Sequence, residues 1–310
     1  MVTLAQDPTS TRYREFLARC SLATAMCLVG STVVSAKFIA DQFPLVVALG
    51  IRHGAAVLIM LGIVLATEGR LPSIGRRQHG IIMLQTLTGV VLFNLLLLKG
   101  VDLTTATASG IIMSTVPATI AVLSLALGER ISRLTVYGIA LAMAGVLIVN
   151  LAGAEGGSED ASRPFLGGVL VFGAVVSEAL FTILGKSLVG KVTPISHCFL
   201  VCAYGAATFV PLAIWRWSSF EIEAVKTSGW IALAWWTGPV MILAFFLWFS
   251  GLRVIPANSA AVFTGLIPVS AVVCSAIVLG ERMGFPQIAG MACVIAAIVL
   301  VARPERRAAP

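Results

Sequence analysis

The 310-residue chain is 58% hydrophobic and only 11% charged, with a mean hydropathy of +1.00. Soluble domains carry roughly 25% charged residues, so the composition excludes an ordinary water-soluble protein and describes a chain that lives in lipid. The net charge of +7 falls in short loops, where membrane topology needs it, which argues against a nucleic-acid partner.

A bilayer core requires about 20 apolar residues per spanning helix, and ten such segments can be drawn. Residues 1–16 are polar, carry Arg12 and Arg14, and read as a cytosolic tail. The first helix covers 17–39. Its basic start and its small-residue run Val34-Ser35-Ala36 could pass for a cleaved signal peptide. A counterpart at 165–187, far too late in the chain for a signal, argues against that. Both helices end in a lysine, a short loop and a proline, Lys37…Pro44 and Lys186…Pro194.

The second helix, 43–66, contains Arg52 and His53, and the third, 79–99, carries Gln85, Thr88 and Asn94. The fourth and fifth cover 103–127 and 132–151. Residues 152–164 are Gly/Ser-rich, acidic and closed by a proline, which makes them the one real linker, placed outside the membrane. The remaining helices are expected at 165–187, 193–215, 229–250, 256–279 and 284–302. The end of the chain, 303–310, is a basic cytosolic tail.

The organising feature is a repeat. Gly100, Ala106 and Pro117 recur at Gly251, Ala257 and Pro268, and Leu127-Gly128-Glu129-Arg130 recurs as Leu279-Gly280-Glu281-Arg282. The chain is thus two five-helix halves, 17–151 and 165–302. With the amino terminus in the cytosol, fourteen Lys/Arg residues lie on the cytosolic side and six on the other, Arg52 being within a span. Ten spans return the carboxyl terminus to the cytosol. Because five is odd, the halves enter the membrane in opposite directions. An inverted repeat of this kind is an architecture of secondary transporters, whose substrate site lies near the midplane between the halves. It places Glu129 and Arg76 inside, and Glu281 and Gly157 outside.

Signatures of catalysis or of a cofactor are missing: no His-Glu-x-x-His, no Gly-x-Ser-x-Gly, no phosphate-binding loop. His53, His79 and His197 each stand alone on their element and read as hydrogen-bonded packing residues. The six cysteines all fall in apolar segments and form no Cys-x-x-Cys pair, so no metal site is expected. No cofactor is expected either. The partners are a small-molecule substrate and the lipid bilayer, and a monomer is compatible with this reading.

The pattern Ala106…Ser109…Pro117…Leu127-Gly128-Glu129-Arg130, then Gly138 and Gly145, resembles the EamA module of the drug/metabolite transporter superfamily. Ala257, Ala260, Pro268, Leu279 to Arg282 and Gly290 repeat the resemblance. It extends over about residues 17–302. It implies an all-α integral membrane carrier of ten transmembrane helices as two inverted repeats, with amino acids, other metabolites or drugs as cargo.

Within that scheme Pro117 and Pro268 each remove a backbone hydrogen bond in mid-span and are candidate hinges. Gln85, Asn94, Ser109, Ser114, Trp248, Phe263 and Ser270, on the two proline-bearing hairpins, are candidate cavity residues. The serines could equally bond back to their own helices. Gln85 and Asn94 are nine residues apart, about 180° around an ideal helix, so both should not face one cavity. Trp215, Trp217 and Trp230 read as interfacial anchors, and Lys37, Lys99 and Arg282 as snorkelling cations. Arg52 reads as bonding backbone carbonyls or a lipid headgroup. Glu178 is the only carboxylate well inside a span, a functional candidate by default and the candidate coupling residue. Small multidrug transporters of the same superfamily place their proton-exchanging carboxylate at a similar distance before a lysine. The resemblance therefore implies proton coupling at Glu178, eight residues before Lys186, although the first half has Val29 at the matching place.

Overall fold

A computed structural model describes residues 8–40, 42–104, 106–153, 163–280 and 283–302. The described chain is helical throughout, as ten apolar spans in which each helix satisfies its own backbone, as a bilayer demands. These are α1 (Arg12–Ala40), α2 (Leu45–Glu68), α3 (Arg76–Leu103), α4 (Ala108–Leu127) and α5 (Arg133–Leu151). The second half supplies α6 (Pro164–Ser187), α7 (Pro194–Arg216), α8 (Thr227–Leu252), α9 (Ala257–Leu279) and α10 (Phe285–Ala302).

The helix leading into α1 already starts at Pro8, within the stretch read as a polar tail. Proline suits the first turn of a helix, and Arg19 pairs with Glu15 at 3.4 Å across one turn, so the polar approach is helical. Gly157, Glu281, Arg282, most of the linker and the tail 303–310 lie outside the described residues.

The repeat is visible in the irregularities of the helices. Both third helices contain a π-helical segment, Leu87–Leu92 in α3 and Trp236–Leu243 in α8, and each carries a Thr-Gly pair, Thr88-Gly89 and Thr237-Gly238. Both fourth helices are interrupted just before their prolines. In α4 the break falls at Ser114–Thr115, so that Pro117 sits in the first turn of the segment Val116–Ser124. In α9 a 3₁₀ stretch, Val262–Gly265, precedes the segment holding Pro268. The prolines therefore stand where a missing N–H costs little, and the irregularity lies one turn ahead of each. Gly128 and Gly280 end these helices at φ of 74° and 70°, a conformation open to glycine without strain.

Helix packing is closed under exchange of the halves. α2 packs along α7, α5 along α10 and α4 against α9, each helix meeting its own counterpart. α3 packs on α6 as α8 packs on α1, and α4 on α6 as α9 on α1. The α5–α10 seam is backbone-tight: a Cβ at Gly145 would lie 2.6 Å from the carbonyl oxygen of Gly290, and one at Gly290 would lie 2.7 Å from that of Gly145. Small residues let helices approach this closely where lipid offers no hydrophobic drive.

Loop contacts divide the molecule into two ends. At one end Thr193 and Ser196 hydroxyls donate to Glu68, and Lys186 and Glu129 bind the α8–α9 connection. At the other, the Lys226 amide donates to Gln42 and the Arg163 amide to the Leu103 carbonyl. Each of these connections falls on the end that strict alternation of ten spans requires.

Candidate substrate and gating site

Near the first of these ends, the loop between α8 and α9 is held from both sides. The last carbonyls of a helix lack intrahelical donors, and Lys186 Nζ donates to one of them, Leu252 O (2.6 Å), and to Ile255 O (2.7 Å) in the connection that follows. The first amides of a helix lack acceptors, and the Glu129 carboxylate accepts from Ala257 N (2.8 Å), Asn258 N (3.1 Å) and Asn258 Nδ2 (3.0 Å). Glu129 also lies near enough to Lys186 to attract it. The Gly-Glu-Arg turn after α4 thus caps the proline-bearing helix of the second half.

Further in stands a polar pair. Gln85 and His197 are buried, and His197 Nε2 donates to Gln85 Oε1 at 2.6 Å while Gln85 Nε2 donates to the Phe181 carbonyl at 2.9 Å. The His197 ring stacks on Phe249 at 3.8 Å with a 9° interplanar angle, and Phe181, Phe245 and Phe249 form a cluster with centroids 5.5–6.0 Å apart. Gly185 makes room for them, since a Cβ there would meet Gln85 Nε2 at 2.7 Å.

Glu178 lies one turn beyond Phe181 along α6, away from Lys186. Ala174 and Thr182, one turn either side of it, are buried, while Val169 and Phe172, on the other side of the helix, are exposed. Its carboxylate therefore points into the bundle. It lies deep among protein atoms yet is only half-buried, and no described residue bonds it. A carboxylate held so is available to a proton or a cationic group.

Other candidates fall into place less uniformly. Ser114 and Ser270 bond back to Ile111 O (2.6 Å) and Ile267 O (3.2 Å). Thr115 and Thr264 do the same on their own helices. Ser109 is the exception, its Oγ buried with no partner among the described residues. Trp248 and Phe263 are each 3% exposed and belong to the central apolar core. Asn94 is half-buried and donates to Val90 O at 2.7 Å.

Two expectations need correcting. The 180° separation of Gln85 and Asn94 assumed an unbroken α-helix. The π segment between them delays the register by about one residue, roughly 100°, which leaves them about 80° apart. Arg52 bonds no backbone carbonyl of a described residue. Its guanidinium lies over the ring of Trp236, 4.2 Å from the centroid.

The histidines are packing residues with partners: His53 Nδ1 on Leu49 O, His79 Nδ1 on the Tyr204 hydroxyl (both 2.8 Å), and His197 as above. Sequence reasoning missed the Gln85–His197 pair and the capping roles of Glu129 and Lys186, reading the latter two as topology. The signal lay in the repeat, since a lysine before a proline and a Gly-Glu-Arg turn each occur twice.

Comparison with known proteins supplies the class. A family profile described as the EamA-like transporter family matches residues 17–151 and again 165–303. The chain belongs to the EamA-like transporter family. This EamA-like protein is 37% identical over 280 residues to a Bacillus subtilis protein named "Uncharacterized transporter YetK", spanning 90% of this chain and 84% of that one. It is 26% identical to "Uncharacterized transporter YyaM" of the same organism, over 87% of this chain and 88% of that protein. A solved structure titled "Crystal structure of protein" superposes with a TM-score of 0.75 at 18% identity, covering 92% of this chain and 97% of the other, and shows the shared fold. As a family member with ten apolar spans, the protein is a multi-pass membrane transporter.

Proposed function

We propose that this protein exports small metabolites, amino acids foremost, across the cytoplasmic membrane by alternating access, with both termini in the cytosol. The reading rests on one observation above all: Glu129 ties the end of α4 to the start of α9, joining the two proline-bearing hairpins at one end of the molecule. The repeat gives Glu129 a sequence counterpart, Glu281, expected on the opposite face, and in this reading a tie at each face closes in turn. Few charges lie inside the spans, which suits neutral or zwitterionic cargo better than a polyanion. Counterflow in proteoliposomes against a panel of amino acids and cationic dyes tests the reading. Exchange of amino acids supports it, and exchange of dyes alone overturns it.

A second reading, proton-coupled export of lipophilic cations, is favoured by Glu178, an unpaired carboxylate turned into the bundle. Dye counterflow dependent on an imposed pH gradient is its expected outcome.

A further inference from the structure

Arg52 is a charged side chain well inside a described span, and its guanidinium lies closer to a tryptophan ring, 4.2 Å, than that of Arg216 beside Trp215, 5.3 Å. It follows Leu45, the first residue of α2, by seven positions, about 10 Å along the axis. Ala48, Leu49 and Ala56, its neighbours along the helix, are buried. The side chain is surrounded by protein yet half-buried, with its Nε buried and unpartnered. No carboxylate among the described residues pairs with it. Among the described residues its guanidinium rests on the face of Trp236, which steadies it while leaving its edge N–H groups free. Trp236 opens the π segment of α8, which also holds Pro239, a residue that offers no N–H to the helix.

Exchange of the two halves does not reproduce the pair. Aligning Pro44 with Pro194, an offset of 150, sets Cys202 opposite Arg52, and aligning Thr88-Gly89 with Thr237-Gly238, an offset of 149, sets Leu87 opposite Trp236. The repeat preserves the prolines, the π segments and the glycine turns, so they belong to the architecture. The Arg52 guanidinium and the Trp236 ring have no counterpart at the related positions, as befits a binding group. A lone guanidinium with its fork open matches one carboxylate in bidentate geometry and lacks the charge to hold a polyanion.

We propose that Arg52, steadied by Trp236, is the anchor for a single carboxylate on the transported solute. The inference rests on the reading of the protein as a metabolite carrier and narrows its cargo to solutes bearing one accessible carboxylate. A phospholipid headgroup offers related anionic chemistry, and the test separates the two.

The purified transporter in uncharged detergent is titrated with simple monocarboxylates (phenylacetate, benzoate, leucine) and their amides, with thermal stabilisation as the readout. The acids should stabilise the wild type and the amides should not. Arg52→Gln should weaken acid binding at least about tenfold, the loss of a charged hydrogen-bonding partner, and Arg52→Lys should retain part of it. Equal response to acids and amides, or acid binding unchanged in a folded Arg52→Gln, overturns the proposal. A parallel series in nanodiscs with and without phosphatidylglycerol identifies a lipid site. If Arg52→Gln loses only the response to the anionic lipid, the headgroup is the ligand and the proposal falls. Leucine failing in counterflow while phenylacetate still binds through Arg52 would refute the amino-acid reading and leave the carboxylate anchor standing.

Discussion

Asn258 is bound twice by Glu129, through its backbone amide at 3.1 Å and its side-chain amide at 3.0 Å, across 129 residues of sequence. Both bonds are charge-assisted, a class worth about 1.5–3 kcal/mol each in favourable settings. Glu129→Ala should therefore shift the balance of conformations at least about tenfold towards an open end. The labelling rate of a Ser259→Cys reporter by a thiol reagent, with native cysteines removed, measures this. An unchanged rate would mean that the tie is incidental to gating.

The Gln85–His197 pair should matter mainly to stability. Gln85→Ala leaves a buried ring N–H without its acceptor, which costs about 1–3 kcal/mol. The double variant Gln85→Ala/His197→Phe should recover part of that loss in thermal unfolding, because no orphaned donor remains. A double variant less stable than Gln85→Ala alone would contradict the pairing.

Much of this fold was legible in the sequence because lipid restricts the choices. Ten apolar runs can only be helices, and Gly100, Pro117 and Glu129 recurring at Gly251, Pro268 and Glu281 disclosed the repeat. What the sequence hid depends on departures from the ideal helix. The π segment at Leu87–Leu92 turned a 180° argument about Gln85 and Asn94 into roughly 80°. Helical periodicity likewise says nothing of a glutamine meeting a histidine 112 residues away. Glu129 and Lys186 looked like interfacial charges because their acceptor and donor partners are backbone groups, which a sequence does not display.

The α5–α10 seam should be intolerant of a single methyl group. Gly145→Ala forces a Cβ against the Gly290 carbonyl and should cost about 1–3 kcal/mol, the range of overpacking. Gly62→Ala, where nothing lies within 4 Å, should leave stability equal or slightly raised. Thermal unfolding in detergent compares the two directly.

Glu178→Gln keeps the shape of the side chain and removes its charge. If Glu178 couples transport to protons, the variant should lose acceleration by an imposed pH gradient while gradient-free counterflow stays within about twofold of wild type. A wild type that ignores the gradient would leave Glu178 a structural residue.

Cysteines placed near Arg76 and Ser132 should react only from the cytosol with an impermeant thiol reagent, and those near Gln42, Lys226 and Glu281 only from outside. Cytosolic labelling near Glu281 would sink the inverted repeat.

The break at Ser114–Thr115 makes the rest of α4 a lever. From Thr115 to Glu129 is fourteen residues, about 20 Å of arm at 1.5 Å per residue. A swing of about 15° at that pivot would carry the Glu129 carboxylate about 5 Å, well beyond the reach of its 2.8–3.1 Å bonds to Ala257 and Asn258. A sub-ångström adjustment beside the pivot, where Ser114 and Pro117 sit, would be multiplied several-fold at the tip. Restraint travels the other way along the same arm, so whatever clamps Glu129 also holds the pivot at Ser114–Thr115 in place.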